Sequence, residues 1–172
     1  MQIICLNCRG PLKKTGQDYT CSCCGKVYST YGNAINFVDE YIDNGIIDVY
    51  ENINDKYNET SIGKYVNFMN LGYCENSNEN LIGKSAFQNS IINRNSISLI
   101  LKIFYQMNLE NLDVLDLGCG RCGAIYTIQR MYKSCRLYGI DICKNGLLGK
   151  ITNNELIICD FQNDIPFESD SF

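Results

Sequence analysis

The sequence predicts an α/β protein whose late segment is the first half of a doubly wound parallel sheet. A helical connector and a small metal-held module precede it. Three observations carry this expectation. Late in the chain, three short apolar runs each end on an aspartate (Asp116, Asp141 and Asp160), and a Gly-rich turn follows the first. Two Cys-x-x-Cys pairs lie near the start. Between these regions apolar residues recur at helical rather than alternating spacing.

The bulk composition bounds the rest. A 172-residue chain that is 45% apolar and 20% charged has enough apolar surface for a core. Its net charge of −4 gives no general attraction to nucleic acid or to an anionic membrane, so nucleic acid is not the expected partner. The most apolar run, around 95–107, carries Lys102 in its middle, and no segment reads as a bilayer span. The start, MQIICLNCRG, lacks a basic region, an apolar core and a cleavage site, so a cytoplasmic location is expected. Eleven cysteines are then expected as thiols or ligands rather than disulfides. With no histidine, Ser-His-Asp and Cys-His catalysis and His metal ligation are excluded within this chain.

Residues 1–38 are expected to hold a metal. Cys5-x2-Cys8 and Cys21-x2-Cys24 each form a knuckle whose thiolates converge on one cation, with Gly10 and Gly25 placed to let the backbone turn. Four sulfurs make the closed tetrahedral set of a structural Zn²⁺; reduced buried thiols and an iron site are the alternatives. Cys23 offers poorer spacing and is expected to point outward. A module of about 40 residues buries too little apolar surface to fold without such a staple.

Residues 39–110 read as helices that connect and cover. In DVYENINDKYNE, Val49, Ile53 and Lys56/Tyr57 share one side, and in SIGKYVNFMNLGY the same holds for Ile62, Val66 and Met69. Ser85 to Met107 carries a continuous stripe of Ile97, Ile100, Leu101, Phe104 and Tyr105. Asn108 to Asp113 then break the pattern and introduce a strand.

Residues 111–172 carry the chemistry. Val114–Leu117 suits a buried parallel strand. Gly118 and Gly120 allow unusual dihedrals and close approach of backbone to a ligand. Ala124 to Tyr132 reads as a helix with Ile125 and Ile128 inward. RLYGID and ELIICD supply the second and third strands; Gly146 and Gly149 between them weaken any helix by about 1 kcal/mol each. Ligands bind outside the carboxyl ends of such strands, where the three aspartates fall. Gly118-x-Gly120-x-x-Gly123 with Asp141 downstream also fits a dinucleotide fingerprint. Asp116, two residues before the first glycine, would repel a pyrophosphate there and suits a cationic methionyl ligand. Asp160 suits an adenine amino group. S-adenosyl-L-methionine is therefore favoured over NAD.

Taken in order, VLDLGCG, YGIDI, CD and IPFESDSF resemble the successive motifs of the class I S-adenosylmethionine-dependent methyltransferases, which have a Rossmann-like sheet. The resemblance implies that Asp116, Gly118, Cys119 and Gly120 line the methionine half of the cofactor. It implies that Asp141 holds the ribose hydroxyls, that Ile142 packs on adenine, and that Asp160 and Phe161 border the adenine edge. NFMNLGYCENS is similar to the segment before the first motif in many small-molecule methyltransferases, with Cys74 in place of the usual Trp, and implies that Tyr73 covers the cofactor. Residues 1–38, with Tyr28, Gly32 and Phe37 after the cysteines, resemble the zinc ribbon at the front of some methyltransferases. Cys122 stands where that family has Gly, and its side chain would crowd the cofactor unless adjacent Gly123 relieves it.

The family continues into a fourth strand and beyond, so this chain is expected to hold the N-terminal, cofactor-binding part. Catalytic residues are not identified, and a small-molecule acceptor is expected over RNA. The open edge of the first strand, at Val114–Leu117, is expected to recruit a partner strand or a second copy. The alternative function is a non-catalytic relative that binds a partner through the ribbon or that edge. Cys119, Cys135, Cys143 and Cys159 read as small buried hydrophobes.

Overall fold

The computed structural model describes residues 2–39, 45–76, 78–83, 85–147 and 155–172. An N-terminal antiparallel sheet is formed by β1 (Leu12–Thr15), β2 (Asp18–Cys21) and β3 (Val27–Tyr28). A second, five-stranded sheet contains β4 (Thr30–Tyr31), β5 (Ala34–Asn36), β6 (Asp113–Leu117), β7 (Arg136–Asp141) and β8 (Glu155–Ile158). Its order is β4-β5-β8-β7-β6, with β5, β8, β7 and β6 mutually parallel and β4 antiparallel. Helices α1 (Gly45–Glu59), α2 (Arg94–Ile103) and α3 (Gly123–Met131) complete a mixed α/β fold. Among the described residues no helix is long and apolar enough to cross a membrane.

Strand alternation sorts the core into two clusters on opposite faces of the large sheet. Ala34, Leu137, Leu156 and Ile158 pack with Ile97, Ile100, Leu101, Ile125 and Ile128 of α2 and α3. Ile35, Tyr138, Ile140 and Ile157 instead pack with Ile3, Cys5, Cys21, Tyr28 and Phe37. The N-terminal module thus covers the face of the sheet opposite the helices. β5 was not anticipated: three residues are too few to show a period, yet Ala34, Ile35 and Asn36 pair with Leu156, Ile157 and Ile158.

The last residues lie on the same side as the N-terminal module. Ile4 N–H donates to Pro166 O at 2.9 Å. The Arg9 guanidinium donates to Asp164 and Ile165 O at 3.1 Å each, and to Phe167 O. Phe167 and Phe172 set edge-on against Tyr138, with centroids 5.4 and 5.6 Å away. The segment expected to lead toward a further strand therefore docks on the Tyr138 face and forms no strand.

Several helical expectations shift. The packed face of α1 is polar: Asn54 is buried, while Val49 and Tyr57 are exposed and Ile53 is half-buried. Glu51 accepts from Asn145 N–H (3.0 Å), Asp55 accepts from the Asn145 amide (2.7 Å), and the Asn58 amide donates to Asn145 O (3.1 Å). A stripe of Val49, Ile53 and Tyr57 therefore picks the wrong side, because hydrogen bonding rather than apolar burial orients this helix. Residues 62–69 form only a 3-10 turn, Gly63–Tyr65, before extending, and Ile62 and Met69 are exposed while Phe68 is buried. α2 starts at Arg94, since 85–93 is turns, and Tyr105 is exposed. Gly146 lies in a 3-10 turn (Lys144–Gly146), where a Cβ would meet Gly120 O at 2.9 Å. Gly149 lies outside the described residues.

Candidate functional site

The N-terminal knuckles repeat one backbone pattern. Cys5 N–H donates to Gly10 O (2.9 Å) and Arg9 N–H to Cys5 O (2.8 Å); Cys21 N–H donates to Lys26 O (2.8 Å) and Gly25 N–H to Cys21 O (3.1 Å). The left-handed position after each second cysteine is Arg9 (φ 61°) and Gly25 (φ 74°). The turn residue of the first knuckle is therefore Arg9, not Gly10. Gly10 has a different reason to be glycine, since a Cβ there would sit 2.7 Å from Cys23 Sγ.

The sulfurs of Cys5, Cys8, Cys21 and Cys24 all lie within 4.8 Å of one another. Cys5–Cys24 is 3.7 Å and Cys8–Cys21 3.4 Å. Zn–S bonds of about 2.3 Å imply tetrahedral edges of about 3.8 Å, so the set fits zinc. A hydrogen bond from the Asn7 side chain, then the Lys26 backbone N–H, draws the Cys24 thiol down to about 6. Backbone donors from Cys24 and Cys23 lower Cys21 likewise. Both shifts favour the thiolate form a cation needs, whereas Cys8, despite a backbone donor at Gly10, is pushed up to about 12 by sharing with the Cys24 and Cys21 sulfurs. Cys23 is exposed and stands outside the four.

The second site is a cleft of about 690 Å³ at the carboxyl ends of β6, β7 and β8. Gly118 and Cys119 donate their N–H groups to Ile140 O (2.8 and 3.0 Å), which folds the turn back over β7. Gly118 (φ 74°) and Gly120 (φ 51°) hold the left-handed conformations that this return requires. Asp141 fixes the turn: its carboxylate accepts from Gly120 N–H (2.7 Å) and Cys143 N–H (2.8 Å). Asp160, two residues past β8, accepts from Gln162 N–H (3.1 Å) and the Asn163 amide (2.8 Å). Phe161 leans over the turn, its ring edge 3.9 Å from where a Cβ of Gly118 would stand.

Asp116 differs from these. Among the described residues none donates a hydrogen bond to it. Burial, and then the charge of Asp141, push its carboxyl up to about 6.

Eight of the nine residues expected at a cofactor line this cleft: Asp116, Gly118, Cys119, Gly120, Asp141, Ile142, Asp160 and Phe161. Tyr73 does not. Its hydroxyl donates to Glu79, and Lys102 sits 5.5 Å over its ring. Cys122 does not crowd the cleft either. As the residue before α3, with φ 61°, it turns its thiol into the helix-side core and is 1% exposed.

Arg121 was not anticipated. It is 1% exposed and carries no carboxylate partner among the described residues. Its guanidinium donates to Val66 O (2.7 Å), Gly63 O (3.0 Å), Asn54 (3.0 Å) and Asn58 (3.1 Å). One side chain thus clasps α1 and the 63–66 segment to the Gly-rich turn. The only trace in the sequence is the i, i+4 pair Asn54 and Asn58, which looks like an ordinary solvated face. Arg121→Met removes the charged donor from Val66 O, Gly63 O, Asn54 and Asn58, while Gly63 O keeps its bond from Val66 N–H (3.0 Å). A buried polar group that loses such a donor costs about 1–3 kcal/mol. Urea unfolding is expected to show a loss of about 3 kcal/mol, which Arg121→Lys recovers only in part, because three ammonium protons cannot span four acceptors.

Compared with known proteins, the chain matches no family model and no curated protein.

Proposed function

We propose that the cleft binds S-adenosyl-L-methionine and that the chain is an S-adenosylmethionine-dependent methyltransferase, or its cofactor-binding part, acting on a small molecule. The observation that carries this reading is Asp116, a half-buried carboxylate to which none of the described residues donates, beside Asp141 at the lip of a glycine turn. A pyrophosphate on that turn would face two carboxylates. A ligand bearing an ammonium and a sulfonium, net positive even with one carboxylate of its own, would be attracted by them. Each Asp141 oxygen accepts one N–H and keeps lone-pair capacity for a ribose hydroxyl. Ile142, Asp160 and Phe161 suit an adenine in the way the motif resemblance implies.

When bound, this cofactor supplies a methyl group already activated by the sulfonium. Asp116 and Asp141 would hold its cationic and ribose portions at the strand tips, so that an acceptor in the same cleft would be aligned with that methyl group. Alignment supplies most of the rate in such a transfer, so a chain without histidine is chemically adequate. The four-cysteine centre has no open ligand position and is assigned a structural Zn²⁺. A cytoplasmic setting, which keeps thiols reduced, suits both sites.

Equilibrium binding tests this. Zinc-loaded protein is expected to bind S-adenosylmethionine with micromolar affinity, and Asp141→Ala, checked for folding by circular dichroism, to weaken it at least 30-fold. A second reading, a non-catalytic partner-binding module, is favoured by one observation: among the described residues β6 is an edge strand of its sheet. No binding by the zinc-loaded chain, together with a dimer or captured strand by light scattering, would decide for that second reading.

A further inference from the structure

We infer that the helical wall of the cleft, facing the strand tips, is a subsite for an uncharged, apolar small molecule, the methyl acceptor. This rests on reading the strand-tip wall as the seat of S-adenosylmethionine. The two walls differ in chemistry. The strand-tip wall carries Asp116, Asp141 and Asp160. The helical wall is built by three separate segments, Ile46 and Tyr50 of α1, Met69 of the extended stretch, and Ile100 and Ile103 of α2, with the uncharged amides of Asn54, Asn67 and Asn70 among them. Ile46 is 67% exposed, Tyr50 46% and Ile103 56%, though all three line a concavity. Large apolar side chains left wet on converging segments mark a surface kept for a ligand.

Charge narrows that ligand further. Among the described residues the lining holds three carboxylates, no lysine and a single cation, Arg121, whose guanidinium already has four acceptors. An anionic acceptor, whether a nucleic acid, a phosphorylated metabolite or a carboxylate, would enter a negative field without a counter-ion. The apolar wall in turn gives a second cation nothing to pair with beyond the aspartates assigned to the cofactor. At about 690 Å³ the cleft has roughly twice the ~300 Å³ at which ligand pockets begin, which leaves room for an acceptor beside a cofactor.

The test uses two fluorescent probes on the zinc-loaded chain: neutral N-phenyl-1-naphthylamine and its sulfonated analogue, 8-anilino-1-naphthalenesulfonate. The neutral probe is expected to bind saturably at one site, at least 10-fold more tightly than the anion. Tyr50→Asp and Ile103→Asp, both at exposed positions, are each expected to weaken it at least 10-fold while S-adenosylmethionine affinity stays within twofold. Equal binding of the two probes, or neutral-probe binding untouched by both variants, would overturn the inference. Variant-sensitive probe binding in a chain that binds no S-adenosylmethionine would support the apolar site but remove its acceptor role, which separates the two failures.

Discussion

Stripping zinc from the loaded protein is expected to unfold the large sheet along with the N-terminal module. The reason is a shared core. Cys5, Cys21, Tyr28 and Phe37 belong to the same buried cluster as Tyr138, Ile140, Ile157 and Phe167. Losing the metal therefore uncovers one whole face of the α/β sheet, and β5 is the continuation of the cysteine module paired directly onto β8. Structural zinc sites bind with apparent free energies of about 10–16 kcal/mol, comparable with the ~5–15 kcal/mol that holds a whole domain together. Even partial transmission of that energy should lower the melting temperature by at least about 10 °C, at roughly 2–4 °C per kcal/mol for a chain of this size. Both sheets should melt in one transition by circular dichroism after chelation, and Cys24→Ser should behave alike. Cys23→Ser should melt as the parent does, because Cys23 stands outside the ligand set. Were the sheet to keep its melting temperature while the module alone unfolded, the shared core would not be cooperative.

The three late strands, the Gly-rich turn and the four clustered cysteines were legible because each leaves a local signature: an apolar run ending at a turn, paired glycines, or a fixed cysteine spacing. What stayed hidden depends on direction or distance. The buried side of α1 is made of Asn54 and its neighbours, and a sequence pattern cannot tell a hydrogen-bonded asparagine from a solvated one. Arg121 looks like a surface arginine until Gly63 and Val66 arrive with their carbonyls. Cys122 was placed by analogy on the cofactor's side, but its left-handed backbone rotates the thiol into the core. Tyr73 was placed in the same way, and the Glu79 and Lys102 that hold it away from the cleft come from other segments. Arg9 in a glycine-like turn position is tolerable because its guanidinium is anchored across the chain at residues 164–167, a contact that spacing alone cannot show.

Replacing Asp116 with asparagine is expected to make the protein more stable and to remove its proposed ligand affinity. The carboxyl is raised from 3.8 to about 6, by burial first and by Asp141 second. Its folded value therefore lies above its unfolded one, so the ionised group works against folding. That penalty is fully present above about pH 6, shrinks as pH falls, and vanishes below about 4. A rise from 3.8 to about 6 corresponds to about 3 kcal/mol at most. Asp116→Asn should then gain up to about 3 kcal/mol in urea unfolding at pH 7.5 and almost nothing at pH 4. Binding runs the opposite way. A cationic ligand selects the ionised carboxylate, so parent affinity should fall as pH drops through about 6, approaching tenfold per unit. The asparagine variant should bind weakly, with that pH dependence gone. A residue retained for structure would lose stability on substitution, whereas a strained carboxylate kept for a ligand gains it. If Asp116→Asn destabilised the chain, or bound S-adenosylmethionine as the parent does, the cationic-ligand reading of the cleft would lose the observation on which it stands.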